Sequence, residues 1–384
     1  MSIDTLMTQD KPIRVMIVDD SAVVRNVLSK LVGEDDELEL VYSAYNAQVA
    51  IDFIKVNEVE VVLLDIEMPG ISGLDAIQQL LKLKPKLKIL MVSALTSQNA
   101  PSTLKSLSLG AADYIEKPSA ININDRHDFK ETLLEKIKVL GYASRNINTN
   151  TIPRNTINHK KSGSESSGYQ KLNLPKFLKS SDIKLRADRR LNFKPDVIAI
   201  ASSTGGPKSI GDLLLKFDKD YLKDIPVIIT QHMPAFFTKL FAENIDKLDV
   251  ARCNEAIEGE EIRGGRIYIA PGGHHLLVSK QNGKNLIKLS NSDPVNFCKP
   301  SADPMLFSMA EIYKKKLLLI VLTGMGSDAL EGAKRVVEYG GVVIAQDEKS
   351  SVVWGMPGNV AVSNLCTEVL PLNEIANYIM LRGK

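Results

Sequence analysis

Residues 13–21 read IRVMIVDDS, a short apolar run broken only by Arg14 that stops at the paired aspartates Asp19 and Asp20. A run this short and this rich in Val and Ile reads as a buried strand. Ser21 then precedes Val24, Val27, Leu28 and Leu31, an apolar stripe at helical spacing, so Ser21 is placed to cap a helix. The pattern recurs outward from there. EVVLLD (60–65) ends at Asp65, KILMVS (88–93) ends at Ser93, and ADYIEKP (112–118) carries Lys117. Strands alternating with helices predict βαβ units and a parallel sheet covered on both faces. Polar residues at the carboxyl ends of such strands gather at one edge, where these sheets bind ligands.

Composition narrows the function classes. The chain has 384 residues, enough for two or three domains, with 44% apolar residues and a net charge of +2. Such a balance gives no whole-molecule pull toward nucleic acid or membrane. Cys253, Cys298 and Cys366 lie far apart outside any CxxC pattern, which speaks against a zinc site or disulfide framework and fits a reducing cytoplasm. The opening MSIDTLMTQD lacks a signal-peptide core, and no apolar run reaches the roughly 20 residues of a membrane span.

Three aspartates at strand ends, Asp19, Asp20 and Asp65, can surround one Mg²⁺, a cation that prefers oxygen ligands and retains waters for phosphate to displace. One carboxylate can then accept a phosphoryl group whose charge the metal and Lys117 neutralise. Ser93 offers a hydroxyl to a phosphoryl oxygen. Tyr114 stands three residues before Lys117, and Lys117 precedes Pro118, a placement that often uses a cis peptide bond.

Residues 13–140, through VDDS, DIEMPGISG, the Ser of MVSAL and ADYIEKPS, resemble the response-regulator receiver family. The resemblance implies a doubly wound five-stranded parallel sheet over a domain of residues 11–140. It also implies phosphorylation at Asp65, metal held by Asp19, Asp20 and Asp65, and a Ser93/Tyr114 switch beside Lys117. A helix is expected near 125–140 (DFKETLLEKIKVL at its end). Residues 141–194 then change character: over 145–194, twelve basic residues face three acidic ones, about +9. This reads as a basic, largely flexible linker with a short helical piece near LPKFLKS.

From Asp196 the alternation resumes in DVIAIAS, PVIITQHM, RIYIAPGG, LLLIVLTG and GVVIAQD, predicting a second α/β domain over 195–384 with a mainly parallel sheet flanked by helices. Ser203 follows the first of these strands in SSTGGP, where Gly205 and Gly206 allow a tight turn with free backbone N–H groups. Ser202 is a second hydroxyl next to it. His232 ends the next strand and is placed to take a serine proton and return it. Asp328 closes LTGMGSD, whose loop offers N–H donors to an oxyanion. Asp328 has two readings: it can orient His232, or cap the following helix in a capping box with Glu331. His274 and His275 read as structural.

STGGP, QHMP, YIAPGGHH, SADPMLFSMA, LTGMGSD and AQDEKSSVVWGMPGNV together resemble the catalytic domain of chemotaxis protein-glutamate methylesterases. By position, the resemblance implies Ser203 as nucleophile, His232 as base, Asp328 as orienting acid and the Met325 N–H in the oxyanion hole. Ala329 stands where that family usually has Gly. The implied activity is hydrolysis of receptor glutamate methyl esters, with deamidation of receptor glutamines at the same site and no cofactor for the ester step. The implied partners are chemoreceptor cytoplasmic domains and a chemotaxis histidine kinase, with no nucleic acid and no membrane span. The receiver is expected to cover the site until Asp65 is phosphorylated. The rival reading is a receiver gating a non-catalytic binding module. A DNA-binding output is the poorer rival, since no helix-turn-helix pattern follows the linker and the catalytic half lacks a basic stripe.

Overall fold

The structure, a computed structural model, describes residues 11–93, 99–117, 123–145, 183–187 and 193–382. Most of the basic segment, LPKFLKS within it, and Pro118 lie outside the described residues.

The first unit runs β1 (Ile13–Val18), α1 (Ala22–Gly33), β2 (Leu38–Ala44), α2 (Ala47–Val56), β3 (Val61–Leu64), α3 (Gly73–Leu83), β4 (Lys88–Ser93), α4 (Ala100–Leu109), β5 (Asp113–Glu116) and α5 (Ile123–Ser144). Its five strands pair in parallel in the order β2-β1-β3-β4-β5. Strand β3 is buried along its whole length, as a strand covered on both faces must be. The chain reverses its winding between β1 and β3, so Asp19 and Asp65 emerge side by side at the switch point. Ser21 caps α1 by accepting from the Val24 N–H. Strand β2 escaped the sequence reading because it is an edge strand whose middle is half-exposed, with no continuous apolar run. Helix α5 continues past residue 140 to Ser144, where Arg145 pairs with the buried Glu60 at 2.5 Å.

The second unit runs β6 (Val197–Ser202), α6 (Gly206–Leu214), α7 (Lys219–Leu222), β7 (Val227–Gln231), α8 (Phe237–Asp246), β8 (Arg252–Glu255), β9 (Arg266–Ile269), β10 (His275–Gln281), β11 (Lys284–Ser290), α9 (Ala302–Tyr313), β12 (Leu317–Val321), α10 (Leu330–Glu338), β13 (Val342–Gln346), α11 (Met356–Val362), β14 (Glu368–Leu370) and α12 (Leu372–Arg382). Seven strands pair in parallel in the order β14-β13-β12-β6-β7-β9-β8. The β10–β11 hairpin stands apart as an antiparallel pair turning at Asn282-Gly283, both at positive φ. That Asn-Gly was a legible hairpin signal which the search for buried apolar runs passed over. Residues 183–187, expected as linker, instead lie against this unit: Arg186 N–H donates to the Cys366 carbonyl, and Ile183 and Leu185 pack on its core.

The two units share a seam. Helix α4 packs on α6 and α8. Val353 of the second unit is buried in one apolar cluster with Phe129 and Leu133 of α5.

Gly73 begins α3 directly beneath the Asp65 strand end, and a Cβ there would lie 2.0 Å from the Asp65 carbonyl oxygen. Gly73→Ala is therefore expected to cost about 1–3 kcal/mol through overpacking against backbone. Urea denaturation of the two proteins checks this; an unchanged midpoint would refute the close approach.

Candidate active site

In the first unit, Lys117 Nζ ion-pairs with Asp19 Oδ2 at 2.8 Å and Asp65 Oδ1 at 3.0 Å. Ligand oxygens of Asp19, Asp20 and Asp65 lie within 4.8 Å of one another, with Asp20 exposed and the other two buried. Three hard oxygen donors open to water on one side fit a Mg²⁺ that keeps several waters. Burial pushes Asp65 above its ordinary carboxylate value; Lys117 opposes this and Asp19 adds to it. The cluster thus places two buried carboxylates together at the cost of their mutual repulsion, which a cation relieves. The Ser93 hydroxyl contacts Thr103 Oγ1 at 3.3 Å. Tyr114 points the other way, its ring stacked on Phe237 of α8 at 5.2 Å and 5°.

In the second unit, Ser203, His232 and Asp328 follow β6, β7 and β12, three neighbouring strands in the sheet. Sheet register alone therefore brings them to one carboxyl edge. The Ser202 ambiguity resolves by alternation along the strand: Ser202 is fully buried and donates to Gln231 Oε1 at 2.6 Å, while Ser203 lines a cleft. Gln231 Nε2 donates to the Ser203 carbonyl at 3.0 Å, fixing the turn from below. The Gly205 N–H, expected to be free, donates instead to the carbonyl of Ala112 in the first unit at 2.9 Å.

His232 Nε2 lies 2.7 Å from Asp328 Oδ2, and its Nδ1 lies 3.3 Å from Cys298 Sγ. Burial opposes charging of the imidazole, but the neighbouring Cys298 sulfur and the hydrogen-bonded Asp328 carboxylate outweigh it and push His232 up to about 10. Asp328 is 2% exposed and accepts from Ser301 Oγ, Asn296 Nδ2 and the N–H groups of Ala302 and Asp303 as well. Burial works against its ionisation, yet His232 and these donors hold it well below the usual carboxylate range. The cap reading of Asp328 is thus corrected in its object. It does not cap α10, whose N-cap is Ala329 with no side-chain cap bond, and Glu331 pairs with Lys334 in solvent. It caps the first turn of α9 from another part of the chain. Ala329 adopts φ +72, a left-handed conformation that costs an Ala roughly 1–2 kcal/mol.

Of the loop after β12, the Thr323 and Gly324 N–H groups are engaged by Gln346 and Val353. Met325 N–H has no partner among the described residues and borders the same cleft as Ser203 and His232. The cleft, about 820 Å³, is walled on its other side by Asp113, Tyr114, Lys117 and Lys136 of the first unit. Asp113 accepts from Thr204 Oγ1 at 2.6 Å and from Lys136 Nζ at 2.5 Å, so the residue next to Ser203 is tied across the seam. His275 is structural: it is buried, its Nδ1 accepts from Ser301 N–H, and its Nε2 contacts the Asp293 carbonyl.

Sequence reasoning missed Asn296, Cys298, Ser301 and Asp303. Asn296 and Phe297 take φ of +52 and +61, a left-handed pair that folds a tight turn and aims Asn296 at Asp328 and Cys298 at His232. Nothing in the local pattern of NFCKPS marks such a turn, since only the Asn favours that backbone region.

The family model for the CheB methylesterase matches residues 198–379, and that for the response regulator receiver domain matches residues 15–124. A protein-glutamate methylesterase/protein-glutamine glutaminase of Rhodospirillum rubrum is 41% identical over 98% of this chain and 96% of its own length. One of Azospirillum brasilense is 43% identical over 96% of this chain and 92% of its own. The crystal structure of the Thermotoga maritima CheB methylesterase catalytic domain is 40% identical, covering 49% of this chain and 98% of that one at a TM-score of 0.47.

Burial and the neighbouring Asp328 push Asp303 up from 3.8 to about 6. The folded protein therefore holds that proton more tightly than the unfolded chain does. The associated stability is complete below about 3.8 and is lost as pH rises through about 6. Measured against Asp303→Asn, wild-type stability is expected to fall across that window; parallel stability curves from pH 4 to 7 would contradict it.

Proposed function

The chain belongs to the family of CheB methylesterases that carry a response-regulator receiver, and we propose that it removes methyl groups from glutamate methyl esters of chemoreceptors under the control of phosphorylation at Asp65. The observation that carries the reading is the 2.7 Å His232–Asp328 contact beside Ser203 in one cleft. A non-catalytic output would have no use for a buried carboxylate held on an imidazole.

In the proposed reaction the Ser203 hydroxyl gives its proton to His232 Nδ1 as its oxygen bonds to the ester carbonyl carbon. The Asp328 carboxylate keeps the Nε2–H tautomer and stabilises the imidazolium that forms. The Met325 N–H takes the developing oxyanion. His232 then protonates the departing methanol, and water attacks the acyl-enzyme to release the glutamate carboxylate and restore Ser203. A glutamine side chain enters the same sequence with ammonia leaving in place of methanol. None of these residues calls for a metal.

The division proposed is a receiver over 11–140, a linker over 141–194 that begins with the last turn of α5 and includes the 183–187 segment lying on the second unit, and a catalytic domain over 195–384. A histidine kinase is the proposed phosphodonor, methylated receptor cytoplasmic domains the substrates and the cytoplasm the site of action. Among the described residues no helix is long and apolar enough to cross a membrane. In the receiver, Mg²⁺ on Asp19, Asp20 and Asp65 would neutralise the phosphoryl group when bound. Lys117 already bridges Asp19 and Asp65 and supplies a second positive charge. We read the Tyr114–Phe237 stack and the Asp113–Thr204 bond as the contacts that hold the receiver over the cleft. Added charge at Asp65 would draw Ser93 and Tyr114 toward the phosphoryl group, and the stack would part.

Methanol release from methylated receptor fragments tests the reaction. Wild type treated with a small-molecule phosphodonor is expected to be active, Asp65→Asn to stay at the resting rate, and Ser203→Ala to lose at least three orders of magnitude. Ester hydrolysis that survives Ser203→Ala would sink the assignment. Tyr114→Ala removes an aromatic pair and is expected to raise the resting rate roughly three- to ten-fold without phosphodonor. A resting rate that does not move would reject the receiver contact as the restraint.

A further inference from the structure

The base nitrogen that Ser203 needs is already taken. His232 Nε2 faces the Asp328 carboxylate, so in the neutral ring that acts as base this nitrogen keeps the proton and Nδ1 is the acceptor. Nδ1 meets Cys298 Sγ at 3.3 Å. The Ser203 hydroxyl has no hydrogen-bond partner among the described residues; its carbonyl and N–H are held by Gln231 and Thr323. Ser203 and His232 thus sit in one cleft with no hydrogen bond between them among the described residues, and a thiol stands where the serine proton must arrive.

The thiol is not there by slack packing. Val295 and Cys298 exchange backbone hydrogen bonds of 2.9 and 3.1 Å around the left-handed Asn296–Phe297 pair. The same turn sends Asn296 Nδ2 to Asp328 Oδ1 at 3.0 Å and to Asp303 Oδ2 at 2.8 Å. One short turn therefore grips the orienting acid with one side chain and the base with another.

We propose that Cys298 is a positioning residue that parks His232: its sulfur occupies Nδ1 in the resting protein, and Ser203 must displace it before the ester can be attacked. The proposal rests on the esterase reading above and adds to it the resting partner of the base. In the attack step a Ser203 O–H bond breaks, an N–H bond forms at Nδ1, and the serine oxygen bonds to the carbonyl carbon. That N–H bond needs the Nδ1 lone pair free. One proton held between sulfur and Nδ1 denies it, whether sulfur or nitrogen carries that proton. Sulfur is a weak hydrogen-bond partner, so the bond orients the ring and yields readily to a hydroxyl.

The test uses the full chain, treated with phosphodonor, and methylated receptor fragments. Cys298→Ala frees Nδ1 and is expected to raise kcat roughly two- to three-fold at unchanged KM, the equivalent of one weak hydrogen bond released. Cys298→Ser keeps a hydroxyl within reach of Nδ1 and is expected to stay below the alanine variant. A slower alanine variant beside a serine variant equal to wild type would overturn the proposal, because the sulfur would then only fill space. Three equal rates would overturn it as well. Nitrogen NMR of the His232 ring in the resting chain reads the contact without any turnover. The Nδ1 resonance is expected to shift on Cys298→Ala, and an unmoved resonance refutes the contact while leaving the esterase reading intact. Failure of the esterase reading would show instead as a wild-type rate equal to that of Ser203→Ala.

Discussion

The Asp328 carboxylate is the point on which the catalytic half depends. It is almost fully buried, and a buried charge is tolerable only when its lone pairs are filled. They are filled by His232 from the β7 end, by Ser301 and two N–H groups at the start of α9, and by Asn296 from the 295–298 turn. Three separate segments meet on two oxygen atoms. The need to satisfy one charge therefore fixes the His232 ring, closes a helix terminus and anchors the turn that carries Cys298. Asp303, beside it, bears the consequence in its raised affinity for a proton.

The seam between the halves follows a different logic. Apolar surface from Val353 and α5 makes the contact favourable, and a few directed bonds give it register. Those bonds cluster at Ala112, Asp113 and Tyr114, next to Lys117 on one side and to Thr204, Gly205 and Phe237 on the other. Lys117, which pairs with Asp65, and the residues flanking Ser203 are thus close to one another at a single strand end. A rearrangement of β5 has no way to leave the cleft untouched.

Much of this was legible in the sequence because parallel strands covered on both faces announce themselves as unbroken apolar runs. All the interior strands, β1, β3 and β4 in one sheet and β6, β7, β9, β12 and β13 in the other, were read on that basis. The strands missed were the edges β2, β8 and β14 and the β10–β11 hairpin, whose half-exposed residues carry no such run. Ser203 and His232 were legible for the same reason, since each directly follows a strand that could be recognised, and Asp328 because it lies in the Gly-rich loop after another.

The sequence by itself determined which residues stand at strand ends, because burial on two faces leaves a one-dimensional signature. Only the tertiary structure decided which strands are neighbours and hence which strand ends meet. It also decided that Asp328 caps α9 rather than its own helix, that Tyr114 lies on Phe237, and that Cys298 rests on His232. The physical reason is that hydrogen bonds to a buried charge and contacts across a seam join residues tens to more than a hundred positions apart in the chain, whereas periodicity records only what each residue does with its immediate neighbours.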